Sequence, residues 1–264
     1  MPSTSARPFA VVTGASSGIG REVAHVLAEE GYDLLLCAED AAVAQVQFDI
    51  PQLAVEAVQA DLSTYDGVED LVEAVGDRDV DALVLNAGIA VGGRFVETAL
   101  DDDLELIALN VTSVVHLAKR LLPRMVAAGR GRVLVTGSVT SMLPGPYYAT
   151  YSASKAFALN FAQSVRYELK DTGVTVTTMM PGPTDTELFE RAGMEDTRVG
   201  RSDSKDDPAQ VARDGVAAML AGKDDAVVGF TVRNTLMSRG AKALPEQAKA
   251  ATQARLTKPD DEPT

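Results

Sequence analysis

The sequence predicts an α/β fold: a doubly wound parallel sheet with helices on both faces, built as a single domain over residues 1–264. Three observations carry that prediction. Short apolar runs alternate with helix-spaced amphipathic segments along most of the chain. The apolar runs are continuous, as in strands buried on both faces. No repeat of fixed period and no low-complexity linker divides the 264 residues, a length that fits one α/β domain.

The elements follow in order. Phe9 to Val12 predicts a strand that stops at Thr13-Gly14. Ile19, Val23, Val26 and Leu27 recur at helical spacing, and Gly31 is placed to end that helix. Asp33 to Ala38 is a second strand, which completes a βαβ unit. Asp66 to Val75 predicts a helix and Asp81 to Leu85 a strand. Glu97 to Val126 holds either two helices or one long broken one. Arg132 to Thr136 predicts a strand, Thr150 to Lys170 a long helix, and Val174 to Met180 a strand stopped by Pro181-Gly182-Pro183. Pro208 to Ala221 is a helix with Asp206 and Asp207 at its positive end. Ala226 to Val232 is the candidate last strand. Ala41 to Val58 should hold a helix and a strand, although Pro51 interrupts it. Met194 to Asp207 reads as a polar loop, and Lys242 to Thr264 as a charged tail with a frayed end.

Charge and composition exclude several functions. Lys plus Arg number 24 and Asp plus Glu 38, for a net charge of −14. Such a chain is ill suited to nucleic acid or to an anionic membrane surface, both of which demand cations. No apolar run reaches the length of a membrane span. The polar stretch 1–8 has no secretory pattern, so the chain reads as cytoplasmic. The single Cys37, in an apolar run, reads as a small core residue. His25 and His116 read as surface or packing residues, so no metal site is expected.

Thr13-Gly14-Ala15-Ser16-Ser17-Gly18-Ile19-Gly20 joins the first strand to the first helix with GxxxGxG spacing. Gly14 permits a tight exit from the strand, Gly18 lets backbone approach a pyrophosphate, and Gly20 allows close helix packing. The helix N-terminus offers unpaired N–H groups to the phosphates, with Ser16, Ser17 and Ile19 in the same loop. An acidic protein can therefore hold an anionic dinucleotide without a surplus of cations, and the sheet is expected to be of Rossmann type.

Tyr151 and Lys155 stand at i, i+4, so they project from one face of the predicted long helix. A free phenol titrates near ~10, and a neighbouring ammonium favours its ionised form. Ser138 follows the strand ending at Thr136 and could donate to a carbonyl oxygen. Asn86-Ala87-Gly88 follows another strand, and Asn110 lies in a helical stretch.

TGASSGIG at 13–20, NAG at 86–88, Asn110, Ser138, YSASK at 151–155 and PGPTDT at 181–186 stand in the order and spacing of the short-chain dehydrogenase/reductase family. The chain resembles its compact single-domain branch over about residues 8 to 235. That resemblance implies an NAD(P)-dependent oxidoreductase that interconverts a ketone or aldehyde and an alcohol. Tyr151 would be the general acid or base. Lys155 would lower its pKa and bind the nicotinamide ribose, Ser138 would polarise the carbonyl, and Asn110 would hold a proton-relay water. Asn86, Ala87 and Gly88 would line the adenosine ribose. Asp61 would accept from the adenine amino group, with Leu62 beside the ring. Pro181, Gly182 and Thr184 would lie against the nicotinamide. No metal is implied.

Cofactor preference should turn on the end of the second strand, Ala38-Glu39-Asp40. No cation stands ready there for a 2′-phosphate, and Glu39 would repel one, so the sequence favours NAD over NADP. Arg21 could still swing toward a phosphate.

The substrate pocket is expected to be walled by Ala90, Val91, Val139, Leu143, Tyr148, Pro183, Leu188 and Phe189, with a lid near 184–207 and a variable tail at 237–264. Those side chains suit an apolar carbonyl or alcohol. Lys119, Arg120, Arg124, Arg130 and Arg132 either form a solvated face or dock an acidic acyl carrier protein, as in a 3-oxoacyl reductase. Two other readings stay open. A non-catalytic dinucleotide sensor would have lost the Tyr–Lys pair. A sugar-nucleotide epimerase would show a shorter glycine loop and a larger C-terminal domain. The resemblance also implies a homodimer or homotetramer, paired through helices near Asp102–Arg124 and Thr150–Lys170.

Overall fold

The computed structural model describes residues 7–228 and 246–259. Seven parallel strands form one sheet: β1 (Phe9–Thr13), β2 (Asp33–Ala38), β3 (Val55–Gln59), β4 (Ala82–Leu85), β5 (Gly131–Thr136), β6 (Val174–Pro181) and β7 (Asp225–Val228). Their order is β3-β2-β1-β4-β5-β6-β7. The order reverses between β1 and β4, which opens a crevice at the carboxyl ends of those strands.

Both sheet faces are covered, which explains the unbroken apolar runs. Val11, Leu35, Leu83 and Val133 point to one side, where α2 (Tyr65–Val75), α4 (Ser113–Ala128) and α5 (Ala149–Leu169) pack over them through Leu71, Leu117, Leu121 and Ala162. Ala10, Val12, Leu36, Val84 and Leu134 point to the other, under α1 (Gly18–Glu29) and α7 (Pro208–Leu220) with Leu27, Val216 and Met219; α6 (Leu188–Arg191) is a single turn that precedes α7. Burying a side chain of this size stabilises the fold by roughly 1.5–3 kcal/mol. Cys37 lies in the first core, and burial pushes its thiol up to about 12. His25 stacks on Phe48, and His116 meets Glu69 at 2.7 Å, so both histidines are packing residues.

Several elements differ from their sequence-based expectation. The helical stretch after 97 is α3 (Leu100–Ile107), a π-helical segment (Ala108–Thr112) and α4 in direct continuation. Asp40, at the start of the region broken by Pro51, caps a short 3-10 turn (Ala41–Gln45), and β3 follows as the exposed sheet edge. The last strand ends at Val228 as described, and residues 229–232 of its expected span lie outside the described residues. The polar loop after Met194 is folded down, with Met194 and Thr197 buried and Thr197 bridged to Pro259. The tail carries a helix, α8 (Glu246–Thr257), docked on that loop rather than a frayed end alone. Residues 237–245 and 260–264 of the expected variable tail lie outside the described residues. No described helix is long and apolar enough to cross a membrane.

Candidate active site

The crevice is built from strand ends. Thr13, the last residue of β1, donates through Oγ1 to Val84 O at 3.1 Å and accepts from Asn86 N at 2.9 Å and Ala87 N at 3.0 Å. Asn86 Nδ2 returns to Thr13 O at 3.1 Å, and its Oδ1 accepts from Thr136 Oγ1 at 3.1 Å. Thr13 and Asn86 thus lash β1, β4 and β5 together where the chain leaves the sheet. Asn86 serves this splice as well as lining the cavity. Thr13 opens the glycine motif, but its splicing role gave no signal in the sequence.

The glycine loop wraps over that splice. Gly14 and Gly18 hold φ of +64° and +52°, the left-handed region that favours glycine. A Cβ on Gly20 would stand 2.0 Å from Gly14 O and 2.4 Å from Asn86 Nδ2. Gly20 therefore lets the loop fold back on its own carbonyl, a closer cause than the helix–sheet packing expected of it. Ser17 caps α1 with no side-chain hydrogen bond, and the first turn carries no acid. The first N–H groups of α1 are left for an anion, so the loop fits a dinucleotide pyrophosphate.

At one end of the loop, Ser16 Oγ donates to Asp40 Oδ2 at 2.7 Å, and Asp40 Oδ1 accepts from Ala42 N at 3.0 Å. Glu39 offers its carbonyl to Gln59 Nε2 at 2.9 Å, and its carboxylate has no hydrogen-bond partner among the described residues. Arg21 is turned onto Glu22 at 3.2 Å. Asp61 caps its own turn through Ser63 N at 2.8 Å, beside the buried Leu62.

At the other end, α5 delivers Tyr151 and Lys155 to the cavity floor. Lys155 is 7% exposed, donates from Nζ to Thr136 O at 3.0 Å, and lies 5.7 Å from the centre of the Tyr151 ring. Ser138 caps a 3-10 turn (Val139–Met142), with Oγ accepting from Thr140 N at 3.2 Å. Burial pushes the Tyr151 phenol up to about 12, while a hydrogen bond with Ser138 pulls it down. Burial also pushes the Lys155 ammonium down to about 8. Desolvation is the largest influence on both groups.

Asn110 sits in the π-helical segment with its carboxamide engaged. Oδ1 accepts from Ile89 N at 2.9 Å, and Nδ2 donates to Ile89 O at 2.9 Å and Ser154 Oγ at 3.0 Å. Ser154 in turn donates to Tyr151 O at 2.7 Å. Ser154, missed in the sequence because an isolated serine has no distinctive spacing, joins Asn110 to the Tyr–Lys helix.

One cavity of about 630 Å³ runs along these groups. It is lined by Gly14, Ser16, Ser17, Gly18, Ile19 and Gly20 from the loop, by Glu39, Asp40, Asp61 and Leu62, by Asn86, Ala87 and Gly88, and by Tyr151 and Lys155. Ala90, Val91 and Leu188 also line it, as do Thr186, Glu187 and Arg191, which sequence reasoning had not singled out individually. The lining of this cavity does not include Ser138, Asn110, Val139, Leu143, Tyr148, Phe189, Pro181, Gly182, Pro183 or Thr184. Thr184 is turned onto Gly182 O at 3.0 Å, and its strand-like pairing partner is Asp206. Tyr148, Ala90, Ala192 and Met194 form a small apolar cluster, with Tyr151, Leu188 and Phe189 packed against it. The segment after Leu188 closes on the β4–α3 loop through Gly92 N to Ala192 O at 3.0 Å. Among the described residues no group of His, Cys, Asp and Glu could hold a metal ion.

Residues 8–196 match the family described as short chain dehydrogenase. The chain is 32% identical to a 3-oxoacyl-(acyl-carrier-protein) reductase of Vibrio cholerae over 68% of its own length and 74% of that protein's. It is 34% identical to a 3-oxoacyl-(acyl-carrier-protein) reductase of Synechocystis sp. over 70% and 78% of the two lengths. Among solved structures it is similar to a short-chain dehydrogenase from Sphingobium yanoikuyae in complex with NADPH, with a TM-score of 0.77 and 30% identity, covering 92% and 98% of the two chains.

Proposed function

This chain belongs to the short-chain dehydrogenase/reductase family and is an NAD(P)-dependent oxidoreductase, and we propose that it interconverts an apolar ketone and its alcohol with Tyr151 as general acid/base. The observation that carries the reading is the buried Lys155 beside Tyr151 on the floor of a cavity that begins at the glycine loop. A sensor would have no use for a desolvated ammonium there.

When bound, the nicotinamide supplies or accepts the hydride. Gly14 to Gly20 would hold the pyrophosphate by main-chain N–H groups. Lys155, already fixed by Thr136, would face the nicotinamide ribose. Asp61 and Leu62 would meet the adenine, and Pro181, Gly182 and Thr184 would lie against the nicotinamide. In reduction, Tyr151 gives its proton to the carbonyl oxygen, and Ser138 donates to the same oxygen. A buried phenol keeps its proton at neutral pH, so the proton is present when a carbonyl arrives. Refilling its proton runs through Lys155. A relay water would meet the main chain at Asn110, whose side chain is engaged with Ile89 and Ser154.

NAD is the favoured cofactor. The carboxylates of Glu39 and Asp40 line the ribose end of the cavity, and Arg21 is spent on Glu22. The relatives that reduce carrier-bound 3-oxoacyl groups suggest a second reading, which the basic stretch does not favour. Arg120 pairs with Glu69 at 2.9 Å, Arg124 binds Gly76 O and Arg78 O, and Arg130 binds Asp79 and Asp81. Those guanidinium groups already have partners on the surface, and a small free carbonyl compound suits the apolar cluster better. The cytoplasm is the compartment this reading takes.

A homodimer is part of the reading. Leu100, Leu104 and Ile107 are 70%, 52% and 41% exposed and recur at helical spacing along α3, and Val96 is 86% exposed in the turn before it. A self-complementary apolar stripe of this kind suits an isologous pair. A scan of free ketones against acyl-carrier thioesters, with NADH and NADPH, tests the whole proposal. Turnover of thioesters alone would overturn it.

A further inference from the structure

The reading above gives no task to the C-terminal helix α8, yet it lies against the wall of the site. Gln253 is 8% exposed, and its Nε2 donates to the Tyr148 hydroxyl at 2.7 Å. Thr257 Oγ1 donates to Pro146 O at 2.8 Å, and Leu256 O accepts from Val199 N at 3.0 Å. The loop they grip is strained. Tyr147 holds φ of +65°, a left-handed conformation that a bulky side chain rarely adopts. Its carbonyl accepts from Gly93 N at 2.8 Å, and the next residue, Tyr148, is turned inward and 4% exposed. The Tyr148 ring stands 5.9 Å from that of Tyr151, centre to centre.

We infer that Gln253 is a positioning residue: by holding the Tyr148 hydroxyl it fixes the aromatic wall on which Tyr151 rests. It acts through Tyr148 and touches neither substrate nor cofactor. The inference rests on the reading of Tyr151 as the acid/base. Its physical basis is that a buried phenol left without a partner must move or bring in water, whereas removing both polar partners together is nearly neutral. A misplaced acid/base group slows the chemical step more than it weakens cofactor binding, because the dinucleotide is held from the other side of the cavity.

The test uses the full chain with Gln253→Leu, and with Gln253→Leu combined with Tyr148→Phe. In the single variant, kcat for ketone reduction should fall about tenfold while the Kd for NADH, read by cofactor fluorescence, stays within about twofold. Amide hydrogen exchange across residues 143–152 should quicken. The double variant should restore slow exchange across residues 143–152 and recover kcat relative to the single variant. An unchanged kcat and exchange in the single variant would overturn the inference, as would exchange in the double variant as quick as in the single one. Should the single variant fail to fold, the double variant carries the test alone through exchange: slow exchange across residues 143–152 supports the pairing, and quickened exchange refutes it. Quickened exchange in a protein whose wild type reduces no ketone would leave the clamp supported and sink the reading of the active site.

Discussion

Ser16 and Asp40 are joined by a 2.7 Å hydrogen bond that ties the glycine loop to the end of β2. Asp40 also caps the 3-10 turn that follows, so its carboxylate is held from two sides at the end of the cavity proposed to take the ribose. Glu39 lines the same end with a carboxylate that has no hydrogen-bond partner among the described residues, and is the easier of the two to exchange. Replacing Glu39 with Arg, with Asp40 in place, should raise relative kcat/KM for NADPH over NADH by about tenfold, since it turns repulsion of a 2′-phosphate into attraction. An unchanged ratio in steady-state assays would assign the discrimination to Asp40 alone.

Tyr151→Phe should lower ketone reduction by about 10²–10⁴-fold, the usual loss on removing a general acid. NADH should still bind within a few-fold, because the phosphate loop is untouched. Near-normal turnover in this variant would remove Tyr151 from the chemistry.

The two directions of reaction should respond oppositely to pH. Lys155, pushed down to about 8 by burial, loses its charge above that pH, so reduction and dinucleotide affinity should both decline there. Alcohol oxidation needs the phenolate of Tyr151, which is pushed up to about 12, so its rate should climb toward alkaline pH. Paired pH–rate profiles check this, and parallel profiles would refute it.

Gly20→Ala should abolish measurable NADH binding while the chain stays folded, because the new Cβ would meet Gly14 O at 2.0 Å and push the loop open. Circular dichroism and a fluorescence titration separate the two effects. Retained affinity would mean that the loop can yield without cost to the phosphate site.

Leu104→Glu, on the exposed stripe of α3, should convert the proposed dimer into monomers, since it places a charge within the apolar contact proposed there. Light scattering reads the outcome directly. A variant with the mass of the wild type would place the interface elsewhere.

Much of the fold was legible because sheet strands buried on both faces write themselves as continuous apolar runs. Val11, Leu35 and Val84 were readable as core for that reason. The phosphate loop was legible because only glycine meets its φ values, and the Tyr151–Lys155 pair because helical spacing puts i and i+4 together. Charge partners could not be read where they are distant in sequence. The arginines at 120, 124 and 130 stand near one another in sequence as a basic patch, yet each is used by Glu69, by carbonyls of the α2–β4 loop, or by Asp79 and Asp81.

The sequence by itself determined the α/β architecture, the family's motifs and the residues that carry the proposed chemistry, since all of these rest on local spacing. Only the tertiary structure decided that Thr13 and Asn86 splice three strand ends, that Asp40 rather than Glu39 is locked to the loop, and that Gln253 reaches Tyr148. Those contacts join residues 73, 24 and 105 positions apart. Hydrogen bonds of that separation leave no period in the chain, so they exist as information only once the sheet has brought their partners together.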